Sequence, residues 1–216
     1  MSPTLQSFTS EETWRGGHYE IEFELGEPSD ERLRLALQRI WSHPDLKGCC
    51  FSRDQEPQGQ VRVTPGQETL EGHLYGVANL PNGTAAACGT YICRLQGDDE
   101  QLYRDLLSFY VPLGSLRAAY KTGGYPFSDG DRATTWRVEL DNWLVELGRF
   151  VFEKVDFGLA LVGWEVDFPR VSSESVKRNG ILSERFDGYL WRAADRLEWY
   201  PPTNLEIVRF VDKQRT

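Results

Sequence analysis

The sequence predicts an α+β protein in which a mixed, largely antiparallel sheet, or more than one, is packed by about three amphipathic helices. Segments that alternate between apolar and polar residues occur beside segments whose apolar residues recur at helical spacing. These two kinds of segment do not follow the regular strand–helix–strand alternation of a parallel sheet. A hydrophobic content of 40% supplies enough apolar side chains for a substantial core.

The clearest predicted strand begins at His18, where apolar and charged residues alternate strictly. One face carries the apolar residues Tyr19, Ile21, Phe23 and Leu25. The other face carries the glutamates Glu20, Glu22 and Glu24. Neighbours on one strand face are about 7 Å apart, so these charges repel one another unless water, basic neighbours or a partner relieve them. We expect the three carboxylates to point into solvent, with Arg62 or Arg94 on adjacent strands as counter-charges.

A helix is predicted over about residues 30–42, because Ser29 is a suitable N-cap and Pro44 ends the helical pattern. Short strands are predicted at 47–52 and 60–64. Two further strands, 72–80 and 84–95, flank an Asn-Gly turn that favours a hairpin.

In the second half, capping residues and an apolar stripe predict a helix over about 99–110. A helical turn is expected at Leu113, Leu116 and Tyr120, and the best helical stripe of the chain covers 136–154. The apolar run 157–166 predicts a buried central strand. Shorter strands are predicted at 189–191 and 205–210.

The two predicted helices at 30–42 and 99–110 carry similar apolar positions, offset by 69 residues. This match raises the hypothesis that a βαββ-type unit is duplicated, although any two amphipathic helices share such spacing. The remaining organisation is predicted as a loose arm at 1–16 and a single domain at 17–216. The segment 111–135 is rich in Gly and Pro, so a boundary within the domain would lie there.

Charge argues against a nucleic-acid partner, because the formal net charge is −9 and such a field repels phosphates. No apolar run reaches the roughly 18 residues of a membrane span, and the polar beginning is unlike a secretory signal. We therefore expect no membrane partner and a cytoplasmic location. In that compartment the four cysteines are expected to be free thiols. Their spacing does not suit zinc, so no metal and no cofactor is expected. The less favoured alternative is a metal site formed by His18, His73 and Glu20.

The familiar motifs of hydrolases, zinc proteases and nucleotide-binding enzymes are missing from the sequence. The balance therefore leans away from an enzyme, and we assign no catalytic residue. Seven tryptophans are more than such a core ordinarily uses. Aromatic residues in turn-rich segments often contact a partner. Those singled out on this ground are Tyr125, Phe127, Trp199 and Tyr200.

Two functions are consistent with these features. The first is a non-enzymatic protein-binding module, such as an inhibitor or immunity-like protein, that uses the glutamates and the loop aromatics to bind a basic protein. The alternative is a small-molecule-binding protein or hydrolase with an aromatic-lined carboxylate site. Its predicted residues are His73, Trp164, Glu165 and Asp167. The sequence does not fix the oligomeric state.

Overall fold

The computed structural model describes residues 7–66, 69–95, 104–120, 122, 135–166 and 171–204. Within these residues the chain forms the predicted α+β fold, with one antiparallel sheet of eight strands and five α-helices. The strands are β1 (His18–Gly26), β2 (Leu46–Cys50), β3 (His73–Asn79), β4 (Ala85–Leu95), β5 (Arg104–Pro112), β6 (Leu159–Trp164), β7 (Gly188–Ala193) and β8 (Arg196–Tyr200). The helices are α1 (Glu11–Trp14), α2 (Asp30–Trp41), α3 (Leu113–Tyr120), α4 (Thr135–Phe152) and α5 (Ser173–Asn179).

The first strand of the chain lies in the middle of the sheet. The strand order is β2-β3-β4-β5-β1-β6-β7-β8. Glu20 is opposite Tyr110 of β5 on one side and Gly163 of β6 on the other. Strands from before and after residues 111–135 therefore belong to one sheet.

Helices α2 and α4 pack on one face of the sheet, which we call the helix face. Their apolar residues join Tyr19, Ile21 and Phe23 of β1 in the main hydrophobic core. Gly148 allows α4 to approach the sheet closely, because a Cβ there would lie 2.6 Å from a side-chain carbon of Leu190. The core thus explains why alternate residues of β1 are apolar.

The opposite face, which carries the glutamates of β1, is called the second face. Helix α5 and Val171 cover part of it by packing on a smaller apolar cluster. That cluster includes Leu106, Leu159, Leu161, Val176 and Tyr189. The central strands are consequently buried on both faces.

Several predicted elements are confirmed. The side chain of Ser29 caps α2 by accepting a hydrogen bond from the backbone N–H of Arg32 at 3.3 Å. The hairpin forms from β3 and β4, with Gly83 in the left-handed region at φ 79°. Helices α3 and α4 and strands β1, β2, β6 and β7 also lie where they were predicted. All four cysteines are free.

The helix predicted at 99–110 is wrong, because residues 104–112 form strand β5. Residues 105–112 are all buried, and their apolar residues are nearly continuous. A strand covered on both faces has no need to alternate, so its pattern can imitate a helical stripe. The duplication hypothesis compared this predicted helix with the one at 30–42, so the similarity between two helices on which it depended does not exist.

The strand predicted at 60–64 is also wrong. Its backbone makes a single bond to the sheet, from the N–H of Val63 to the carbonyl of Cys49 at 2.8 Å. Val61 is exposed, so the alternating residues do not divide between a core and a solvent face. The strand predicted at 205–210 lies outside the described residues.

The expected loose arm is packed against the domain over residues 7–16. Phe8 is fully buried, and the indole N–H of Trp14 donates to its carbonyl at 2.6 Å. Gly114 of α3 meets α1 so closely that a Cβ would lie 1.8 Å from the carbonyl oxygen of Glu12. Among the helices that the structure describes, none has the length and apolarity to cross a membrane.

Candidate functional site

The three glutamates of β1 are buried, so the expectation that they face solvent is wrong. Glu20, Glu22 and Glu24 are 2%, 6% and 3% exposed. Their strand is central, and the second face above them is covered by side chains of β4 and β5, by Val166 and by α5. Strand β1 therefore does not provide an exposed row of negative charge.

Glu24 is fully engaged in holding the fold together. Its carboxylate accepts hydrogen bonds from the backbone N–H of Ser173 at 2.6 Å and from the hydroxyl of that residue at 2.9 Å. It also pairs with Arg104, which reaches Glu174 at 2.8 Å. Glu24 therefore anchors the start of α5.

The counter-charges expected from the sequence are also wrong. Arg94 pairs with Asp30 and Asp105 instead of a glutamate of β1. Arg62 donates to the carbonyl of Gly48 at 3.3 Å. The basic residue that does reach β1, Arg104, lies on a segment that the sequence predicted as a helix.

Both donors to Glu20 among the described residues are neutral, and Glu22 has one neutral donor on β5. Glu20 accepts from the hydroxyl of Tyr91 at 3.2 Å and from the backbone N–H of Val166 at 3.1 Å. Glu22 accepts from the hydroxyl of Ser108 at 2.9 Å. Among the described residues, no basic side chain pairs with Glu20. Burial, followed by the charge of Glu22, raises the pKa of Glu20 well above its ordinary value.

Tyrosines and histidines form a layer on the second face beside these carboxylates. We call this set the aromatic cluster: His18, His73, Tyr75, Tyr91 and Tyr110. Tyr110 lies flat across Gly89, where a Cβ would come within 2.6 Å of its hydroxyl. That hydroxyl bonds Nδ1 of His73 at 3.0 Å, and the Tyr110 ring lies 4.3 Å from that of His18.

The aromatic cluster is uncharged near neutral pH and partly open to solvent. His73 is exposed, and Tyr75, Tyr91 and His18 are half-buried. Burial, and then the charge of His73, lowers the pKa of His18 to about 4. Burial, and then the charge of Arg53, also lowers the pKa of His73. The cluster thus offers ring faces and neutral hydrogen-bonding groups above buried carboxylates.

The structure divides the predicted small-molecule site. His73 belongs to the aromatic cluster, and exposed Glu165 lies close by, donating its backbone N–H to the carbonyl of His18 at 3.0 Å. Trp164 is buried on the helix face, opposite Tyr19. Asp167 lies outside the described residues. Of the three predicted residues that the structure describes, Trp164 thus lies on the other face of the sheet from His73.

Of the four aromatic residues predicted to bind a partner, the structure describes Trp199 and Tyr200. Trp199 and Tyr200 are half-buried in β8, where the sequence indicated a loop. Trp199 packs on Gly188 and the main core, while the hydroxyl of Tyr200 donates to Glu198 at 2.7 Å. Tyr125 and Phe127 lie outside the described residues.

A cleft of about 430 Å³ adjoins the aromatic cluster. Its lining is Thr9, Glu11, Glu12, Trp14, Arg15, Arg53 and Asp54. The rings of Trp14 and Tyr75 meet edge to face at 5.1 Å, which joins the cleft to the cluster. The second face and the cleft therefore form a continuous surface.

Sequence reasoning missed Tyr91 and Tyr110. Tyr91 could have been found, because the predicted hairpin places it directly opposite His73. Tyr110 could not, because its segment was predicted to be helical.

Ring faces such as those of the partly exposed aromatic cluster are suited to contact with cations. Within the described part of the chain, no group of three or more His, Cys, Asp or Glu residues could hold a metal ion. Comparison of the chain with protein-family models, curated proteins and solved structures finds no match in any of the three.

Proposed function

We propose that the protein is a non-catalytic binding module that docks a basic partner protein on the second face of its sheet, as an inhibitor or immunity-like protein would. The observation that carries the proposal is the buried carboxyl group of Glu20, which has no basic side chain paired with it among the described residues and lies beside a partly exposed aromatic cluster. Ionising a buried carboxylate is costly unless a cation is near. A basic partner would supply that cation.

The charge of the whole molecule supports the same partner. The formal net charge of −9 attracts basic proteins at long range and speeds their encounter. Tyrosine is one of the residues that most often contribute strongly to protein interfaces. Tyr75 and Tyr91, half-buried in the free protein, have ring surface left for such contacts.

Burial favours binding over catalysis. With Glu20 and Glu22 only 2% and 6% exposed, a substrate could not bring a reacting atom to either carboxylate without displacing the side chains above them. A partner's flexible basic side chain needs only to reach the rim of the cluster to gain from the charge below.

The test uses two matched probes, an unstructured peptide rich in lysine and arginine and the same peptide with glutamate in their places. We expect the basic peptide alone to bind, more weakly as salt rises, with NMR shift changes concentrated on β3, β4 and β5. Tyr91→Ala should weaken binding about tenfold, in the range of an interface tyrosine. Tyr200→Ala is the control, because Tyr200 is equally half-buried but lies on β8. Equal effects of both variants, or binding of the acidic peptide, would contradict the proposal.

A second candidate function is small-molecule binding, favoured by the cleft of about 430 Å³. This volume falls within the range of ordinary ligand pockets. The test is a thermal-shift screen of small amines and carboxylic acids on the wild type and Trp14→Ala. A ligand that raises Tm only when Trp14 is present would support this candidate, and an unchanged Tm with every compound would refute it.

A further inference from the structure

The cleft beside the aromatic cluster contains charges of both signs, and not all of them are paired. Arg15 pairs with Glu12 at 2.8 Å. Arg53 and Asp54 line the same cleft, and neither forms an ion pair with any described residue. The cleft therefore presents one unpaired positive group and one unpaired negative group to a ligand.

The two unpaired groups lie close together beside one ring. Arg53 and Asp54 are consecutive in the chain, so their Cα atoms are about 3.8 Å apart. Burial raises the pKa of Tyr75, the charge of Arg53 acts against that rise, and the charge of Asp54 adds to it. An α-amino acid carries its carboxylate and ammonium groups on a single carbon atom. Such a ligand needs a positive and a negative site as near to each other as these two.

Hydrogen bonds hold the two walls of the cleft in place. One wall is α1, and the other is the segment that carries Arg53. The hydroxyl of Ser7, just before α1, donates to Glu56 of that segment at 3.0 Å. The indole N–H of Trp14 donates to the carbonyl of Phe8 at 2.6 Å, which fixes the half-buried ring. The cleft thus has an aromatic wall of fixed position beside its two unpaired charges.

We infer that the cleft binds a free aromatic α-amino acid, whose carboxylate pairs with Arg53, whose ammonium group pairs with Asp54 and whose ring packs on Trp14. This inference rests on the second candidate function, small-molecule binding in the cleft. A volume of about 430 Å³ lies at the small end of the range for ligand pockets, which suits a ligand of this size. Glu11, also in the lining, repels a ligand that carries only negative charge, and Arg53 repels one that carries only positive charge.

The experiment compares phenylalanine with two analogues that each lack one charge. Phenylalaninamide lacks the carboxylate, and N-acetylphenylalanine lacks the ammonium group. Binding is measured by NMR titration at about pH 6.5, where free α-amino groups are charged, with up to about 10 mM ligand to detect millimolar dissociation constants. We expect phenylalanine to bind with shift changes at the indole of Trp14 and the amides of Arg53 and Asp54. Each analogue should bind about fivefold more weakly, the upper range for a solvent-exposed ion pair.

Substitutions assign each charge of the ligand to its residue. Arg53→Gln should weaken the binding of phenylalanine about fivefold but not that of phenylalaninamide, which has no carboxylate to lose. Asp54→Asn should likewise weaken the binding of phenylalanine but not that of N-acetylphenylalanine. The matched control is Arg178→Gln, which removes the same charge from an exposed residue of α5 and should leave all three affinities unchanged. A merely structural effect would weaken the binding of all three ligands alike.

The outcomes separate this inference from the candidate function beneath it. An analogue that binds as tightly as phenylalanine overturns the inference. Equal weakening of phenylalanine and phenylalaninamide by Arg53→Gln does so too, as does binding of phenylalanine without shift changes at Trp14. If compounds of the thermal-shift screen bind in the cleft and phenylalanine does not, the inference fails and the second candidate function stands. If none of these compounds binds, both fail.

Discussion

Replacing Glu20 and Glu24 with glutamine, one at a time, should change the free energy of unfolding in opposite directions at pH 8. Both residues lie on the second face of β1 and are almost equally buried. They differ in their partners, because Glu24 has a basic partner and Glu20 has neutral donors. The comparison therefore isolates the effect of the partner from that of burial.

For Glu24→Gln we expect a loss of about 3 kcal/mol. The amide can keep one acceptor contact with Ser173 but loses the charge that holds the backbone N–H, the hydroxyl and Arg104 together. A hydrogen bond to a charged group contributes about 1.5–3 kcal/mol. Because Arg104 retains Glu174, the loss should stay below the roughly 3–5 kcal/mol of a fully orphaned buried charge. In a chain of this size the loss lowers Tm by roughly 6–12 °C.

For Glu20→Gln we expect a gain in the free energy of unfolding that grows with pH. The folded protein binds the proton of Glu20 more tightly than the unfolded chain, since its pKa is raised in the fold. The wild type therefore loses stability as pH rises from the ordinary glutamate value through the raised pKa, by up to about 1.4 kcal/mol per pH unit. Glutamine has no charge to bury and can keep the contacts with Tyr91 and Val166, so this loss disappears in the variant.

The assay is urea denaturation followed by tryptophan fluorescence at pH 4, 6 and 8. We expect Glu20→Gln to match the wild type at pH 4 and exceed it at pH 8. Glu24→Gln should be less stable than the wild type at pH 6 and 8. Shifts of the same sign for both variants at pH 8 would refute the reasoning that the basic partner decides the outcome.

Three further predictions concern other parts of the fold. Gly89→Ala should cost about 1–3 kcal/mol of unfolding free energy and shift the NMR signals of the His73 ring, because the new Cβ would meet Tyr110 at 2.6 Å; unchanged signals would contradict this. Burial raises the pKa of Asp141 to about 6, so its contribution to stability should fall by about 3 kcal/mol between about pH 4 and 6. In urea denaturation, the free energy of unfolding of Asp141→Asn should fall less over that pH range than that of the wild type. An equal fall in both proteins would show that the carboxyl group of Asp141 does not cause it. Gly114→Ala should displace α1 and speed tryptic cleavage after Arg15, as followed by mass spectrometry, whereas the control Gly59→Ala, with open space around it, should not; equal cleavage would refute that role of Gly114.

The sequence predicted those elements in which one face is apolar. Helices α2 and α4 show this clearly, since their apolar stripes meet the sheet, and α2 also carries a suitable N-cap in Ser29. Strand β5 was not predicted because it is buried on both faces. A nearly continuous run of apolar residues is compatible with such a strand and with a buried helix alike. The position of a strand within the sheet is a tertiary property that local spacing does not contain.

The same reasoning explains the error at β1. Alternating apolar and charged residues usually indicate a strand with one face in water. The spacing of Glu20, Glu22 and Glu24 correctly placed them on a common face, but it could not reveal that Tyr91, Ser108 and Arg104 of distant segments would meet them there. Only part of the candidate site could therefore be predicted from the sequence. That part is the pair His73 and Tyr91, which the predicted hairpin places opposite each other.

The central place of β1 has a consequence for how the chain folds as it is synthesised. Its two partner strands, β5 at residues 104–112 and β6 at residues 159–164, are synthesised long after β1 itself. Until then both edges of β1 lack a partner strand, and its apolar side chains stay exposed. Pairings between segments so far apart in the sequence also slow folding. A chain stopped before residue 159 should accordingly aggregate unless a chaperone binds it, whereas the whole chain should not.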